Sequence, residues 1–407
     1  MRDVPADRPR LLVLNQYYYP GVEATAKLLT TLCEALADDY DVTVITGRLR
    51  DQDDLPDRER RNGVEIIRVH STTYDRAPLK SRATNYLTYL THALRESVGQ
   101  RRPDIVLCMT DPPLVGDVAL VTAKRFRVPL VVISQDVFPE IAVALHRLTN
   151  PVLVRLLSFL TSAYLRRADR VVAIGETMAD HLVKKGADPK RLRVIPNWTD
   201  VESVKPAPRR NGWATENGLD DRFVVMHSGN IGHAQNLDTL IRATTLLRDF
   251  DHLSVVLVGL GARLADYEAL RDRLEVDAVR FLPYQPPEIV SQSLSSADVH
   301  FVGLGAGLAG YVVPSRLYGI MAVGRPVLVS ADDESETAQL VRAVDCGIVV
   351  SPTDPVEVAK AIRELAAGAY DLDAMGRRGR EYVESEAGRD RAIARYRALF
   401  AELGARA

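Results

Sequence analysis

Gly303-Leu-Gly-Ala-Gly-Leu-Ala-Gly-Tyr-Val-Val-Pro-Ser-Arg-Leu-Tyr-Gly-Ile-Met-Ala-Val-Gly-Arg-Pro326 follows an apolar run, Val299 to Val302, and leads into a helix start at Pro314-Ser315-Arg316. Glycines let the main chain approach an anion, proline suits the first helical turn, and the free amides of a helix N-terminus favour negative charge. Arg316 adds a cation at that end. A second stretch of this kind, Met226-His-Ser-Gly-Asn-Ile-Gly-His-Ala-Gln235, follows the run Phe223 to His227. It precedes Leu237, Leu240, Ile241, Thr244 and Leu247 at helical spacing. A plain loop and cap explains either stretch alone, but two anion cradles in one half of the chain predict a nucleotide-diphosphate ligand.

Outward from these loops, short β-branched runs alternate with amphipathic helix patterns, the arrangement of parallel sheets covered on both faces. In the second half the strands are predicted at Phe223 to His227, Ser254 to Val258, Val279 to Leu282, Val299 to Val302, Pro326 to Ser330 and Gly347 to Val350. In the first half they are predicted at Leu11 to Asn15, Val42 to Thr46, Glu65 to Val69, Ile105 to Met109, Leu130 to Ser134, Arg170 to Ile174 and Arg193 to Pro196. Leu28, Leu29, Leu32, Ala35 and Leu36 form a helical stripe after the Tyr17-Tyr-Tyr-Pro-Gly21 turn, so the first strand feeds a loop and a helix. That loop is the expected ligand edge.

A chain of 407 residues exceeds a usual single core, and 46% hydrophobic content supplies two. The expected division is 1–200, a linker over 201–212 rich in proline and charge, and 213–385. A tail helix at about 386–407 is expected to return to the first domain through Ala392, Tyr396, Leu399, Phe400 and Leu403. A net charge of -2 argues against a general nucleic-acid binder, and the basic clusters Arg58 to Arg61, Arg76 to Arg82 and Arg101-Arg102 read as solvated surface. The N-terminus lacks an apolar core of signal-peptide length, and no run reaches the ~18 apolar residues of a membrane span. The expected location is therefore cytoplasmic. Cys33, Cys108 and Cys346 lack metal-ligand spacing and read as reduced core thiols; no metal or cofactor is expected.

Ordered motifs along both halves resemble the retaining glycosyltransferases of family 4, with the GT-B fold, in the branch associated with bacterial surface polysaccharides. The resemblance rests on Tyr17 to Leu36, Asp104 to Leu114, Ser134-Gln-Asp-Val-Phe-Pro-Glu140, Ala168 to Met178, Arg193 to Trp198, Ser228 to Gly232, Phe281 to Gln285, Ser296 to Asp298, and Pro314 to Pro326 with Cys346-Gly347. It implies an α/β architecture of two doubly wound, Rossmann-like domains facing each other across a cleft. It further implies a hexosyltransferase that moves a sugar from a nucleotide-diphosphate donor, by default a UDP-sugar, to a glycan or lipid-diphosphate-linked acceptor. Gly229, Asn230 and Gly232 would lie beside the donor phosphates, with Gly307, Gly310, Ser315 and Arg316 opposite. Tyr284 and Gln285 would lie near the base, contacting it through backbone groups, and the loop from Pro20 to Thr25, with Gly21, would face the sugar and phosphates.

The departures from the family pattern are equally specific. Many members carry two glutamates eight positions apart, one by the sugar and one on the ribose; those positions hold Tyr311 and Gly319 here. Members with that pair also place an arginine and a lysine on the diphosphate, where this chain has Asn230 and Gln235. Glu336 is the candidate replacement on the ribose, although a glutamate at a helix start needs no ligand. Asp136 is the candidate catalytic group beside the sugar, orienting or deprotonating the acceptor hydroxyl, with Glu140 in reserve; the plainer reading of Asp136 is a cap on a helix starting near Phe138. A nucleotide-sugar epimerase of the same fold and a catalytically silent sugar-nucleotide-binding partner of another transferase remain alternatives. The segments Tyr74 to Leu94 and Val152 to Arg167 place Tyr, Leu or Phe beside Arg or Lys, and so predict either a basic amphipathic surface for the inner membrane or core stripes at Leu87, Leu90, Leu94 and Leu153, Leu156, Leu160.

Overall fold

A computed structural model describes residues 8–21, 23–48, 54–71 and 79–404, with side chains from 84 onward in the last of these. The chain forms two compact units, one of 1–196 with 393–407 and one of 197–392.

In the first unit the strands are β1 Arg10–Leu14, β2 Asp41–Gly47, β3 Arg58–Arg61, β4 Val64–Val69, β5 Ile105–Met109, β6 Leu130–Ser134, β7 Arg170–Ala173 and β8 Leu192–Val194. They form one sheet in the order β3-β4-β2-β1-β5-β6-β7-β8, parallel except for β3 against β4. The central strands are buried along their length, as strands covered on both faces must be. Chain direction across the sheet reverses at β1, which pairs with β2 on one side and β5 on the other. The crevice at the carboxyl ends of β1 and β5 is the ligand position in such sheets.

Arg58 to Arg61 lie at the surface, as read from the sequence, and form strand β3, which was not expected. It is an antiparallel edge strand, and each of its arginines has a carboxylate partner: Arg58 pairs with Glu65 and Glu96, Arg60 lies 3.6 Å from Asp41, and Arg61 3.3 Å from Glu34. Charge on an edge strand blocks pairing with another chain.

The second unit contains β9 Phe223–Ser228, β10 Leu253–Val258, β11 Val279–Leu282, β12 Val299–Gly303, β13 Val327–Ser330 and β14 Gly347–Val350, all parallel, in the order β11-β10-β9-β12-β13-β14. Its reversal lies between β9 and β12, the two strands that lead into the glycine-rich loops. The stretch 201–212, expected as a linker, is fastened to this unit. Lys205 N donates to Ser291 Oγ at 3.2 Å, Ala207 N to Ser295 Oγ at 2.9 Å, and Arg209 pairs with Asp298 at 2.8 Å. The division falls instead between Pro196 and Asn197.

The tail helix, Arg389–Gly404, enters the first unit from Ile393 onward. Tyr396, Leu399, Phe400 and Leu403 are buried there, with Phe400 against Tyr40 at 5.9 Å between ring centroids. Arg397 pairs with Asp39 at 2.6 Å and Glu402 with Arg170 at 2.8 Å. The three cysteines are buried and unbridged.

Candidate active site

In the second unit the two glycine-rich loops meet. Gly305 N donates to Ala234 O at 2.8 Å, and a methyl group on Gly303 would lie 2.0 Å from Gln235 O. The loop after β9 is laid against the loop after β10. Gly229 N donates to Val258 O and Ile231 N to Leu260 O, both at 2.9 Å. Two glycines that the sequence reading did not single out make this possible. A methyl on Gly259, which has φ of +140°, would lie 1.9 Å from Gly229 O, and one on Gly261 2.1 Å from Ile231 O. Gly259→Ala is therefore expected to displace Gly229 and to cost about 3 kcal/mol or more in unfolding free energy. Urea titration of the isolated change measures it, and an unaltered midpoint would show that the loop yields freely.

Arg316 opens the helix Arg316–Ala322, with Ser315 at its N-cap making no side-chain cap. The residue is half-buried, and its Nη1 lies 2.7 Å from Nε2 and 3.0 Å from Nδ1 of His227, at the end of β9. It also lies against Gly229, where a methyl would come within 3.7 Å of Cζ. Burial pulls the Arg316 pKa down to about 10, so the group stays cationic at neutral pH. His227 is fully buried, and burial followed by the Arg316 charge holds it well below the ordinary imidazole value. It is therefore neutral. The sequence reading did not single out His227; its place two residues before Gly229 was the available signal.

The free amides expected of the cradle are partly engaged. Gly232 N donates to Gln235 Oε1 at 2.9 Å, and Gly307 N to Asp332 Oδ2 at 2.6 Å. Gly307 and Gly310 both have φ of +74°. Asn230 is exposed on the loop. Tyr284 and Gln285 follow β11 at the same carboxyl edge of the sheet. Tyr284 is exposed, and the Gln285 side chain accepts from Trp213 Nε1 at 2.8 Å while donating to Pro283 O at 2.7 Å, leaving backbone groups for any ligand. Glu336 opens the helix after β13, where Ser335 is the cap and accepts from Ala338 N.

In the first unit, Asp136 follows β6 and Thr110 follows the adjacent β5. Thr110 Oγ1 donates to Asp136 Oδ1 at 3.1 Å. The capping reading of Asp136 fails: the next helix is Glu140–Ala144, with Pro139 at its N-cap and no side-chain cap. Burial raises the Asp136 pKa to about 6, with the Thr110 hydrogen bond acting in the other direction. Glu140, the reserve candidate, accepts from Lys185 Nζ at 2.7 and 2.8 Å through its two oxygens. Near the same edge Asp111 Oδ2 accepts from Thr25 Oγ1 at 3.3 Å, and Gln16 N donates to Asp111 O at 3.0 Å. Gly21 N closes its turn on Tyr18 O at 2.7 Å. Among the described residues no group of three or more His, Cys, Asp or Glu is placed to hold a metal.

Comparison with known proteins identifies this architecture. The family described as Glycosyl transferase 4-like domain matches residues 21–198, and that described as Glycosyl transferases group 1 matches 211–382. The probable glycosyltransferase WbjE of Pseudomonas aeruginosa is 30% identical over 68% of this chain and 69% of its own length. The putative colanic acid biosynthesis glycosyl transferase WcaI of Escherichia coli K12 is 28% identical over 54% of each. The fold is shared with HepE of Anabaena, solved in complex with UDP-glucose, at a TM-score of 0.75 and 15% identity, covering 97% of this chain and all of that one. The chain belongs to the GT-B glycosyltransferases that join a glycosyl transferase 4-like domain to a group 1 domain, and it is a glycosyltransferase.

Proposed function

We propose that this enzyme transfers a sugar, with retention of anomeric configuration, from a UDP-sugar to a glycan or lipid-diphosphate-linked acceptor in surface polysaccharide synthesis. The observation that carries the donor side is Arg316, a buried-edge cation at the reversal point of the second sheet, set between the two glycine loops. Support for the base and pathway comes from HepE with UDP-glucose and from the naming of WcaI for colanic acid synthesis. Arg316 takes the diphosphate and stabilises charge on the leaving group, with Gly229, Asn230, Gly232, Gly307, Gly310 and Ser315 around it and Glu336 on the ribose. Asp136 orients the acceptor hydroxyl and takes its proton, and attack from the face that the nucleotide diphosphate leaves retains configuration. The expected result for Arg316→Ala is a loss of about 1.5–3 kcal/mol in UDP binding, the range for a charge-assisted hydrogen bond. Unchanged affinity in calorimetry would remove Arg316 from the site. Product analysis with a radiolabelled donor separates transfer from epimerisation.

The membrane face of this proposal rests on the helix Pro151–Arg167. Val152, Leu153, Leu156 and Phe159 are exposed at 71%, 41%, 53% and 66%; of the core stripe that the sequence also allowed, Leu153 and Leu156 are thus on the surface while Leu160 is half-buried. Arg155, Arg166 and Arg167 are exposed on the same helix. Leu87 is exposed as well, while Arg76 and the side chains of Lys80 and Arg82 lie outside the described residues. No helix among the described residues is long and apolar enough to cross a membrane. An apolar stripe edged by arginines suits the cytoplasmic face of the inner membrane. Co-sedimentation with phosphatidylglycerol vesicles is expected to be salt-sensitive and lost in Leu156→Glu/Phe159→Glu; no vesicle binding at low salt would favour a soluble acceptor.

A further inference from the structure

His227, buried at the end of β9, faces backbone acceptors that a cationic ring would satisfy more fully than a neutral one, although burial and Arg316 hold it neutral. Its ring lies against two backbone acceptors, Asn230 O, 3.3 Å from Nε2, and Phe301 O. An imidazolium has two N–H donors, one for each. A neutral ring has one donor and one lone pair, and Arg316 Nη1, which has only donors to offer, lies against the ring within 3.0 Å of both nitrogens. The charged or titratable groups facing the ring are Arg316, from the helix Arg316–Ala322, and His300, from β12. His300 is itself buried and held down to about 4, with its Nε2 2.8 Å from Leu294 O, so it is neutral. On the other side β10 places Leu257 in register with His227, flanked by Val256 and Val258. Burial is the largest influence against protonation of this ring, and Arg316 is the largest charge acting with it, ahead of His300.

The diphosphate of a nucleotide sugar is esterified at both ends and carries two negative charges across the neutral and mildly acidic range. Asn230 and Gln235 in the loop after β9 are uncharged, and Arg316 is the fixed cation described beside that loop, one for two charges. Gly229 has no side chain to confine the guanidinium, and Arg316 as a residue is only half-buried, which leaves the side chain room to turn toward a ligand.

Resting on the donor-site reading above, we propose that Arg316 and His227 form a proton-coupled anion clamp. The bound diphosphate draws the Arg316 guanidinium off the ring, and His227 takes a proton from solvent onto the freed nitrogen, its two N–H groups then donating to Asn230 O and Phe301 O. The ligand's two negative charges are matched by one guanidinium and one imidazolium. An anion a few ångströms from a histidine raises its pKa by about 1–3 units, and removal of the guanidinium from the ring acts in the same direction. The linkage sign follows: the free site holds His227 neutral, the bound site holds it protonated, so affinity rises as pH falls toward the ordinary imidazole range.

Isothermal titration calorimetry of the full chain with UDP-glucose, in non-phosphate buffers of different ionisation enthalpy, measures the protons taken up. GDP-mannose and dTDP-glucose are run beside it. The expected result is uptake approaching one proton per ligand near pH 6, with Kd tightening by up to about tenfold per pH unit as pH is lowered. His227→Gln, whose amide keeps a donor and an acceptor, is expected to bind with no uptake and a pH-independent Kd, close to that of the parent at high pH. The parent measurement stands by itself if that variant does not fold. Binding of the parent without proton uptake overturns the clamp and leaves the donor site in place, and undiminished uptake in a folded His227→Gln also overturns it. Failure of all three nucleotide sugars to bind at any pH overturns the donor reading and the clamp with it.

Discussion

Asp136→Asn is expected to lower turnover by about 100- to 10,000-fold, the range for loss of a positioned general base, with nucleotide-sugar affinity retained. The substitution keeps the shape of the side chain and the acceptor for Thr110 Oγ1, so the loop geometry has no reason to change. Its effect on stability has the opposite sign to a structural lesion. The folded-state pKa of about 6 lies above the ordinary 3.8, so the native state holds the proton more tightly than the unfolded chain. That preference stabilises the fold while the carboxyl is protonated and is lost as pH rises from about 4 through 6. At neutral pH the ionised carboxylate is a cost to the fold, which asparagine removes. The variant should therefore be at least as stable as the parent at neutral pH while nearly inactive.

The same shift predicts the pH profile. A base that must be ionised gives an acid limb in kcat/KM centred near pH 6, and that limb should be absent from the residual activity of Asp136→Asn. A parallel fall in turnover and melting temperature, or an acid limb that survives in the variant, would return Asp136 to a purely structural place beside Thr110.

The strands were legible in the sequence because they lie inside parallel sheets, where burial on both faces writes a continuous apolar run. Ile105 to Met109 and Leu130 to Ser134 are found with the boundaries read from the sequence, as are the half-buried edge strands Val279 to Leu282 and Gly347 to Val350, which their β-branched or aromatic residues marked. β3 was not legible, because its residues, Arg-Glu-Arg-Arg, contribute ion pairs rather than core. The stretch 201–212 has the proline and charge of a linker, yet its hydrogen bonds go to Ser291, Ser295 and Asp298, partners some 90 residues away that no local pattern announces. In the site, the glycines marked where the backbone bends. They did not show that Gly259 and Gly261 are needed to receive the carbonyls of Gly229 and Ile231, because close approach of two loops is a tertiary fact. His227 escaped for the same reason: alone on a strand it is a core histidine, and only Arg316, 89 positions later, makes it part of an electrostatic pair.

Deletion of the chain after Ala392 is expected to unfold the first unit or leave it without cooperative melting. The segment removed carries Ile393, Tyr396, Leu399, Phe400 and Leu403, all buried within that unit, and burying one such side chain contributes about 1.5–3 kcal/mol. Loss of several reaches the whole stability of an ordinary domain, about 5–15 kcal/mol. The Arg397–Asp39 ion pair matters less, since both partners are partly solvated, and an exposed pair contributes at most about 1 kcal/mol. A single change separates the two contributions. Phe400→Ala, which empties the space beside Tyr40, should cost about 3–5 kcal/mol, while Arg397→Gln should cost less than about 1. Chemical denaturation followed by intrinsic fluorescence measures both, and a truncated chain with the parent's unfolding curve would mean that the tail only rests on the first unit without completing its core.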